Sequence, residues 1–291
     1  MRRDPPPDVK RTLRQEVRFA CPIPGCGNPV LTWHHFDPPW REKQHHNPEG
    51  MIALCLEHHA LADGGTWTKS KLRSFKKTPP DIQQIKKKFL WSESSIVYRL
   101  GGCYVASCSP IISISKIPIL WETRSQDGRL LFSFKLNDQY GSEILFLDEN
   151  CLSIEKTLIH DLSINTHETY LKLWLAKRCI GLELKLSHLS IDKFSEQLDR
   201  DATEALKSMP ELPDWILNDI KLMCNKPNFS KFFDHVKENC LDTDNNITVL
   251  DICNAKLFRN GKPILIRNGI VAGSMFNFCF SWNNKLGAFN F

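Results

Sequence analysis

Six of the ten histidines lie between positions 34 and 59, and three of the eleven cysteines, Cys21, Cys26 and Cys55, stand beside them. The stretch reads CPIPGCG, then LTWHHFDPP, then HNPEGMIALCLEHHALADGG. Thiolate sulfur and neutral imidazole nitrogen are the usual zinc donors, and pairs of them at short spacing close tetrahedral sites. Cys21 and Cys26 flank four residues of a Pro/Gly turn, and Cys55 and His58 are two residues apart at an expected helix start. Together they offer three sulfurs and one nitrogen, a full structural zinc set. Unrelated buried thiols would not explain two correctly spaced pairs in a segment with little apolar periodicity, whereas metal-coupled folding does. The other eight cysteines, between 103 and 279, recur at no fixed spacing and read as small buried apolar residues.

With those four assigned, His34, His35 and His59 are left over. A cysteine pair, a strand ending in a double histidine, and Leu-Cys-x-x-His-His opening a helix resemble, in that order, the HNH endonucleases and their ββα-metal nuclease fold. The resemblance covers about residues 17–66. It implies that His34 binds a catalytic divalent ion, that His35 is the general base, and that His59 is the second protein ligand of that ion. The ion would be Mg²⁺ or Mn²⁺, separate from the structural zinc. Such chemistry divides the labour: a neutral imidazole takes a proton from water while a divalent cation neutralises charge on the scissile phosphate and the departing oxygen.

One element departs from the family pattern. The middle asparagine usually lies about five residues before the Leu-Cys cysteine, where this chain has Gly50; the nearest asparagine is Asn47. Either the loop shifts so that Asn47 serves, or the role is absent. His45 and His46 match no family position and read as exposed loop residues. Trp33 and Trp67 flank the cluster and read as core plugs of a small module.

Charge is uneven along the chain. Residues 1–94 hold 16 Lys and Arg against 10 Asp and Glu, and the remainder holds 22 against 23, so the net +5 comes from the first third. A basic third points to a polyanion, and Arg14, Arg18, Lys69, Lys71 and Arg73 are the expected phosphate contacts to DNA. No base-reading motif is present. The reading that follows is a metal-dependent endonuclease cutting DNA phosphodiester bonds, with restriction, antiphage defence or mobile-element biology as the setting the resemblance implies. The competing reading is a non-catalytic, zinc-stabilised nucleic-acid-binding adaptor, although a pure binding module has no use for leftover histidines beside its ligands.

The elements that must position these residues are expected as follows. Residues 1–16 are a basic leader, poorly ordered because three prolines at 5–7 cannot continue a helix. Residues 17–66 are the nuclease module. Residues 67–94 are a helical linker of two helices, the first capped by Thr68 and carrying Leu72 and Phe75, the second carrying Ile82, Ile85 and Phe89. Residues 95–291 form a β-rich domain with a helical insertion near 190–239. There, Leu130 to Leu136 and Ile180 to Leu186 alternate as half-buried strands, and Asn260-Gly261 and Asn268-Gly269 mark hairpin turns. The fold class is thus α+β. The C-terminal domain carries no recognisable site; by analogy with other nuclease modules fused to unrelated domains, its expected role is to sense a ligand, bind a protein partner or position DNA.

Composition sets the remaining bounds. With 42% hydrophobic and 24% charged residues, neither disorder nor a fibrous repeat fits. No apolar run reaches the roughly 18 residues of a membrane span, so no membrane partner is expected. The charged, Pro-rich start has no apolar signal segment, and the expected compartment is the reducing cytoplasm.

Overall fold

Val9, Leu13 and Val17 are spaced four apart, and this stripe turns the expected loose leader into helix α1 (Pro7–Glu16). The prolines do not prevent it. Proline is tolerated in the first helical turn, where its missing N–H has no partner to lose, and Pro7 occupies that place. Leu13 is fully buried.

The computed structural model describes residues 2–81, 83–91, 93–101, 103–207, 226–267, 270–272, 280–282 and 289–290. These fall into two units, one comprising 1–89 with 151–180 and the other 90–150 with 181–291. The division runs through the stretch read from sequence as a single C-terminal domain, since residues 151–180 belong with the N-terminal unit. Both units combine helices with several sheets, so the chain is α+β.

In the first unit, β1 (Thr32–His35) and β2 (Met51–Leu54) pair antiparallel, with His34 opposite Ile52 and His35 opposite Met51. Helix α2 (Leu56–Asp63) follows at once, and α3 (Lys69–Lys77) comes after it. The Thr68 hydroxyl accepts from the Lys71 N–H at 3.2 Å, the expected cap of α3. The core is completed from both flanks: Leu13 and Val17 of the leader and Leu72 of α3 join Ile23, Leu31 and the fully buried β2. Trp33 and Trp67 pack against this core as plugs.

The second linker helix is not formed. Gln84–Lys88 is a strand, β3, paired antiparallel with β10 (Cys151–Glu155), so that Ile85 faces Ile154. Spacing of three and four suited a helix, but only Ile85 of this strand is buried, and cross-strand pairing to a segment far along the chain overrides the local pattern. The same unit holds the hairpin of β11 (Asp161–Ile164) and β12 (Tyr170–Ala176).

In the second unit, β4 (Val97–Leu100) and β5 (Cys103–Ala106) form a hairpin. Three further antiparallel pairings join β6 (Ile112–Ile114), β7 (Ile117–Arg124), β8 (Leu130–Asn137) and β9 (Glu143–Asp148) in order. The long β13 (Cys179–Ser190) runs into helix α4 (Ile191–Lys207); α5 (Lys226–Asn239) leads on to β14 (Asn246–Arg259), which pairs with β13 and, in parallel, with β4. The expected turn at Asn260-Gly261 joins β14 to β15 (Lys262–Arg267), and both residues have positive φ. Short strands β16 (Ile270–Ala272), β17 (Phe280–Trp282) and β18 (Phe289–Asn290) complete the described elements. The expected helical stretch near Trp215 and the Asn268-Gly269 turn lie outside the described residues. Phe194 and Leu198 of α4 pack with Phe232 and Val236 of α5 against Tyr104, Val97 and Val249. Of the scattered cysteines, Cys103, Cys108 and Cys240 are buried as expected, but Cys151 is exposed. No helix among the described residues is long and apolar enough to cross a membrane.

Candidate metal centre

Two adjacent histidines in a strand point to opposite faces, and two adjacent histidines in a helix point about 100° apart. These periodicities sort the side chains of β1 and α2 into separate clusters. His58 turns towards the cysteines, and His59 towards His34.

In the first cluster the donor atoms of Cys21, Cys26, Cys55 and His58 all lie within 4.8 Å of one another. Donors sharing a tetrahedral zinc at about 2.0–2.3 Å stand roughly 3.5–3.8 Å apart. Here the Cys26 and Cys55 sulfurs are 3.7 Å apart and the Cys21 sulfur is 3.6 Å from His58 Nδ1; the Cys55–His58 contact is tighter, at 3.1 Å. The four residues can therefore hold a metal ion such as zinc. Their acid–base state supports the fit. Cys55 is held low, to about 4, chiefly by a hydrogen bond from Cys21. Cys21 is pushed up by that same hydrogen bond and by burial, and burial also raises Cys26. A divalent ion bound here would stabilise the cysteines as thiolates.

The second cluster joins His34 and His59 to Asp63, which the sequence reading did not single out. Asp63 lies four residues after His59 on α2, hence on the same helix face, and that spacing is the signal that could have found it. Asp63 Oδ1 is 3.1 Å from His34 Nδ1, and Oδ2 is 3.6 Å from His59 Nε2. Thr32 fixes the tautomer of His59. Its hydroxyl donates its one proton to the Leu54 carbonyl at 2.9 Å, so towards His59 Nδ1, at 2.7 Å, the hydroxyl oxygen can only accept. The proton of His59 thus sits on Nδ1, and Nε2 presents a bare lone pair towards Asp63. His34 Nδ1 and His59 Nε2 are both buried, and among the described residues the Asp63 carboxylate is the group within ion-pair distance of each. Burial lowers the pKa of each ring, and for His34 the neighbouring His59 adds to the effect. Two imidazoles lowered in pKa by burial, with ring nitrogens converging on a carboxylate, are a donor set suited to a divalent cation.

His35 faces the other way, into the loop 38–47. It is 4% exposed, and neither ring nitrogen has a hydrogen-bond partner among the described residues. Its ring lies 4.8 Å from Trp40, 5.3 Å from His45 and 5.9 Å from His46 between centroids. Burial foremost, with the neighbouring His45, brings its pKa down to about 4, so the ring is neutral at cellular pH. The loop itself is tied down. His45 Nε2 donates to the Pro38 carbonyl at 2.9 Å while Nδ1 accepts from the Asn47 N–H at 3.1 Å. His46 Nε2 donates to the Arg2 carbonyl at 3.0 Å, and its ring stacks on Trp40. Asn47 is exposed, and its side chain caps the short 3₁₀ turn Pro48–Gly50 by accepting from the Glu49 N–H at 3.2 Å. The Gly50 carbonyl receives the N–H groups of Phe36 and Asp37, at 2.9 and 3.1 Å, directly after His35.

The basic residues divide. Arg14 is not available to a phosphate: it is 7% exposed and makes a bidentate pair with the fully buried Asp161, at 2.8 and 2.6 Å. Arg18 pairs with the exposed Asp81 at 2.9 Å. Lys69 and Arg73, one turn apart on α3, both reach Asp37, two residues after His35. Lys71 lies over the Phe75 ring. The positive charge of the exposed Arg3 acts on His34, His35 and His59 alike, which brings the leader to the site.

A scan against protein-family models, a search of the curated proteins and a search of the solved structures each return no match.

Proposed function

We propose that this chain is a metal-dependent HNH-type endonuclease that hydrolyses DNA phosphodiester bonds on a zinc-stabilised ββα-metal module. The observation that carries this reading is the convergence of two buried nitrogens, His34 Nδ1 and His59 Nε2, on the Asp63 carboxylate beside a separate Cys₃His cluster. A zinc module that only binds nucleic acid has no use for a second, differently composed donor set. A divalent cation bound by His34, His59 and Asp63 would supply charge neutralisation at the scissile phosphate and the leaving oxygen.

The chain's own groups do the rest. His35 is neutral, so its one unprotonated ring nitrogen takes a proton from the attacking water. Thr32 keeps His59 in the tautomer that leaves Nε2 free. The His45 and Asn47 contacts hold the loop against His35, so the base does not need to be ordered when substrate arrives. Lys69, Arg73 and Arg3 supply positive charge for the DNA backbone.

Supercoiled plasmid incubated with the protein and Mg²⁺ or Mn²⁺ should be relaxed or linearised, and EDTA should prevent it. Plasmid binding without strand scission under any divalent ion would instead favour the zinc-stabilised adaptor.

A further inference from the structure

The second unit contains a cavity of about 310 Å³ among Ser95, Ser107, Ser109, Glu122, Arg124 and Asn239. Strand alternation accounts for its two charges. Glu122 and Arg124 are two residues apart on β7, hence on one face, with their backbones about 7 Å apart. They form no direct ion pair with each other among the described residues, although Arg124 acts on Glu122 through space, so a carboxyl group and a guanidinium line the same cavity.

Each lining group is held in place from behind. The buried Tyr98 hydroxyl donates to Glu122 Oε2 at 2.9 Å, which leaves Oε1 for the cavity. Arg124 Nη1 donates to the carbonyls of Ser94 and Gly128, at 3.2 and 2.9 Å, so its other nitrogens are aimed by a fixed anchor. Ser109 donates to the Glu122 carbonyl at 3.0 Å. Asn239 donates to both His235 Nδ1 and the His235 carbonyl, at 3.2 and 2.9 Å, so the ring proton lies on Nε2 and is donated to Ser107 Oγ at 3.1 Å. Ser107 also holds a left-handed backbone, φ 52°, a conformation that costs a serine free energy and that recurs at ligand sites. Ile96 and Leu130 give the cavity an apolar wall.

We infer that this cavity binds a small zwitterion of the α-amino-acid class, its ammonium against Glu122, its carboxylate against Arg124 and its side chain against Ile96 and Leu130. A neutral polyol would use the hydroxyls and bring no opposite charge to Glu122 or Arg124, whereas a zwitterion brings one to each. The volume lies at the small end of ligand pockets, which suits a single amino acid better than a nucleotide. None of this depends on the metal centre.

The test is calorimetric titration of the full-length, zinc-containing protein with each of the twenty proteinogenic L-amino acids, with acetate, methylammonium and glycerol as partial mimics. At least one amino acid should bind, about tenfold or more tighter than any mimic, and Glu122→Gln and Arg124→Gln should each weaken it about tenfold. Arg124 is exposed, so its variant keeps the test decisive if Glu122→Gln fails to fold. Absence of binding by every amino acid up to ~10 mM, binding of a mimic as tight as the amino acid, or affinity unchanged in both variants would each overturn the assignment.

Discussion

Burial sets the protonation state of His35, and with it the side chain's fitness as a proton acceptor. The ring is held neutral down to about 4, whereas an imidazole in the unfolded chain takes its proton near 6.5. Between those values the unfolded chain binds more protons than the folded one, so stability is undiminished above about pH 6.5 and falls as pH drops towards 4. His35→Gln removes that titration, and its melting temperature should fall less than that of the wild type over this interval. The same variant lacks the proposed base. Its plasmid cleavage should be slower by on the order of 10²–10⁴, with zinc content and DNA binding retained, and the deficit should shrink at alkaline pH as hydroxide replaces the base. Near wild-type cleavage by this variant would remove His35 from the mechanism. Asp63 acts differently. Asp63→Asn keeps the size and drops the charge, so Mn²⁺ affinity followed by electron paramagnetic resonance should weaken about 10–100-fold, while the Cys₃His zinc stays bound. Unchanged Mn²⁺ affinity would mean that Asp63 is no ligand.

Elements place these side chains, and two contacts carry much of that positioning. Arg14 anchors α1 to Asp161, 147 residues away, with Arg11 as a weaker second partner at 3.3 Å. Removing one member of a buried ion pair leaves the other charge without a partner, at a cost of about 3–5 kcal/mol. Arg14→Met should lower urea stability towards the smaller end of that range, since Arg11 still reaches Asp161, and Arg14→Met with Asp161→Leu should recover most of the loss. A single variant as stable as the wild type would count against this anchor. Gly50 fills the second position. A Cβ there would meet the Asp37 carbonyl oxygen at 1.9 Å, a backbone atom that cannot swing aside. Gly50→Ala should therefore displace the end of β1 that carries His35, costing on the order of 1–3 kcal/mol and cutting cleavage along with stability. A melting temperature within error of the wild type would show that the turn yields freely.

At the scale of the whole molecule, the two candidate metal sites should separate chemically if the proposed function holds. The Cys₃His cluster sits against the core of its unit and is built from sulfur, whereas the His34–His59–Asp63 group uses nitrogen and oxygen beside an exposed carboxylate. Brief treatment with EDTA should abolish cleavage, with zinc retained by elemental analysis, and added Mg²⁺ or Mn²⁺ should restore it. Prolonged chelation at higher temperature should remove zinc and unfold the first unit together. Loss of both metals in one step would mean a single shared site. The excess of basic residues before position 95 fits this arrangement, because the unit that holds both donor sets is also the one that would meet a polyanion.

Sequence alone determined what short-range periodicity can encode. The Cys21–Cys26 and Cys55–His58 spacings, the Thr68 cap and the Asn260-Gly261 turn all depend on neighbours a few residues apart, and each was legible. The tertiary structure alone decided what depends on distant partners. Asp63 becomes part of a donor set only because β1 lies beside α2, and Arg14 turns from an expected phosphate contact into a buried anchor because Asp161 arrives from far along the chain. Gln84–Lys88 becomes a strand because residues 151–155 offer it an edge. Backbone pairing and ion pairing reward contacts across any separation in sequence, while the cost of closing the intervening loop grows only slowly with its length. No local pattern therefore records which remote segment will arrive.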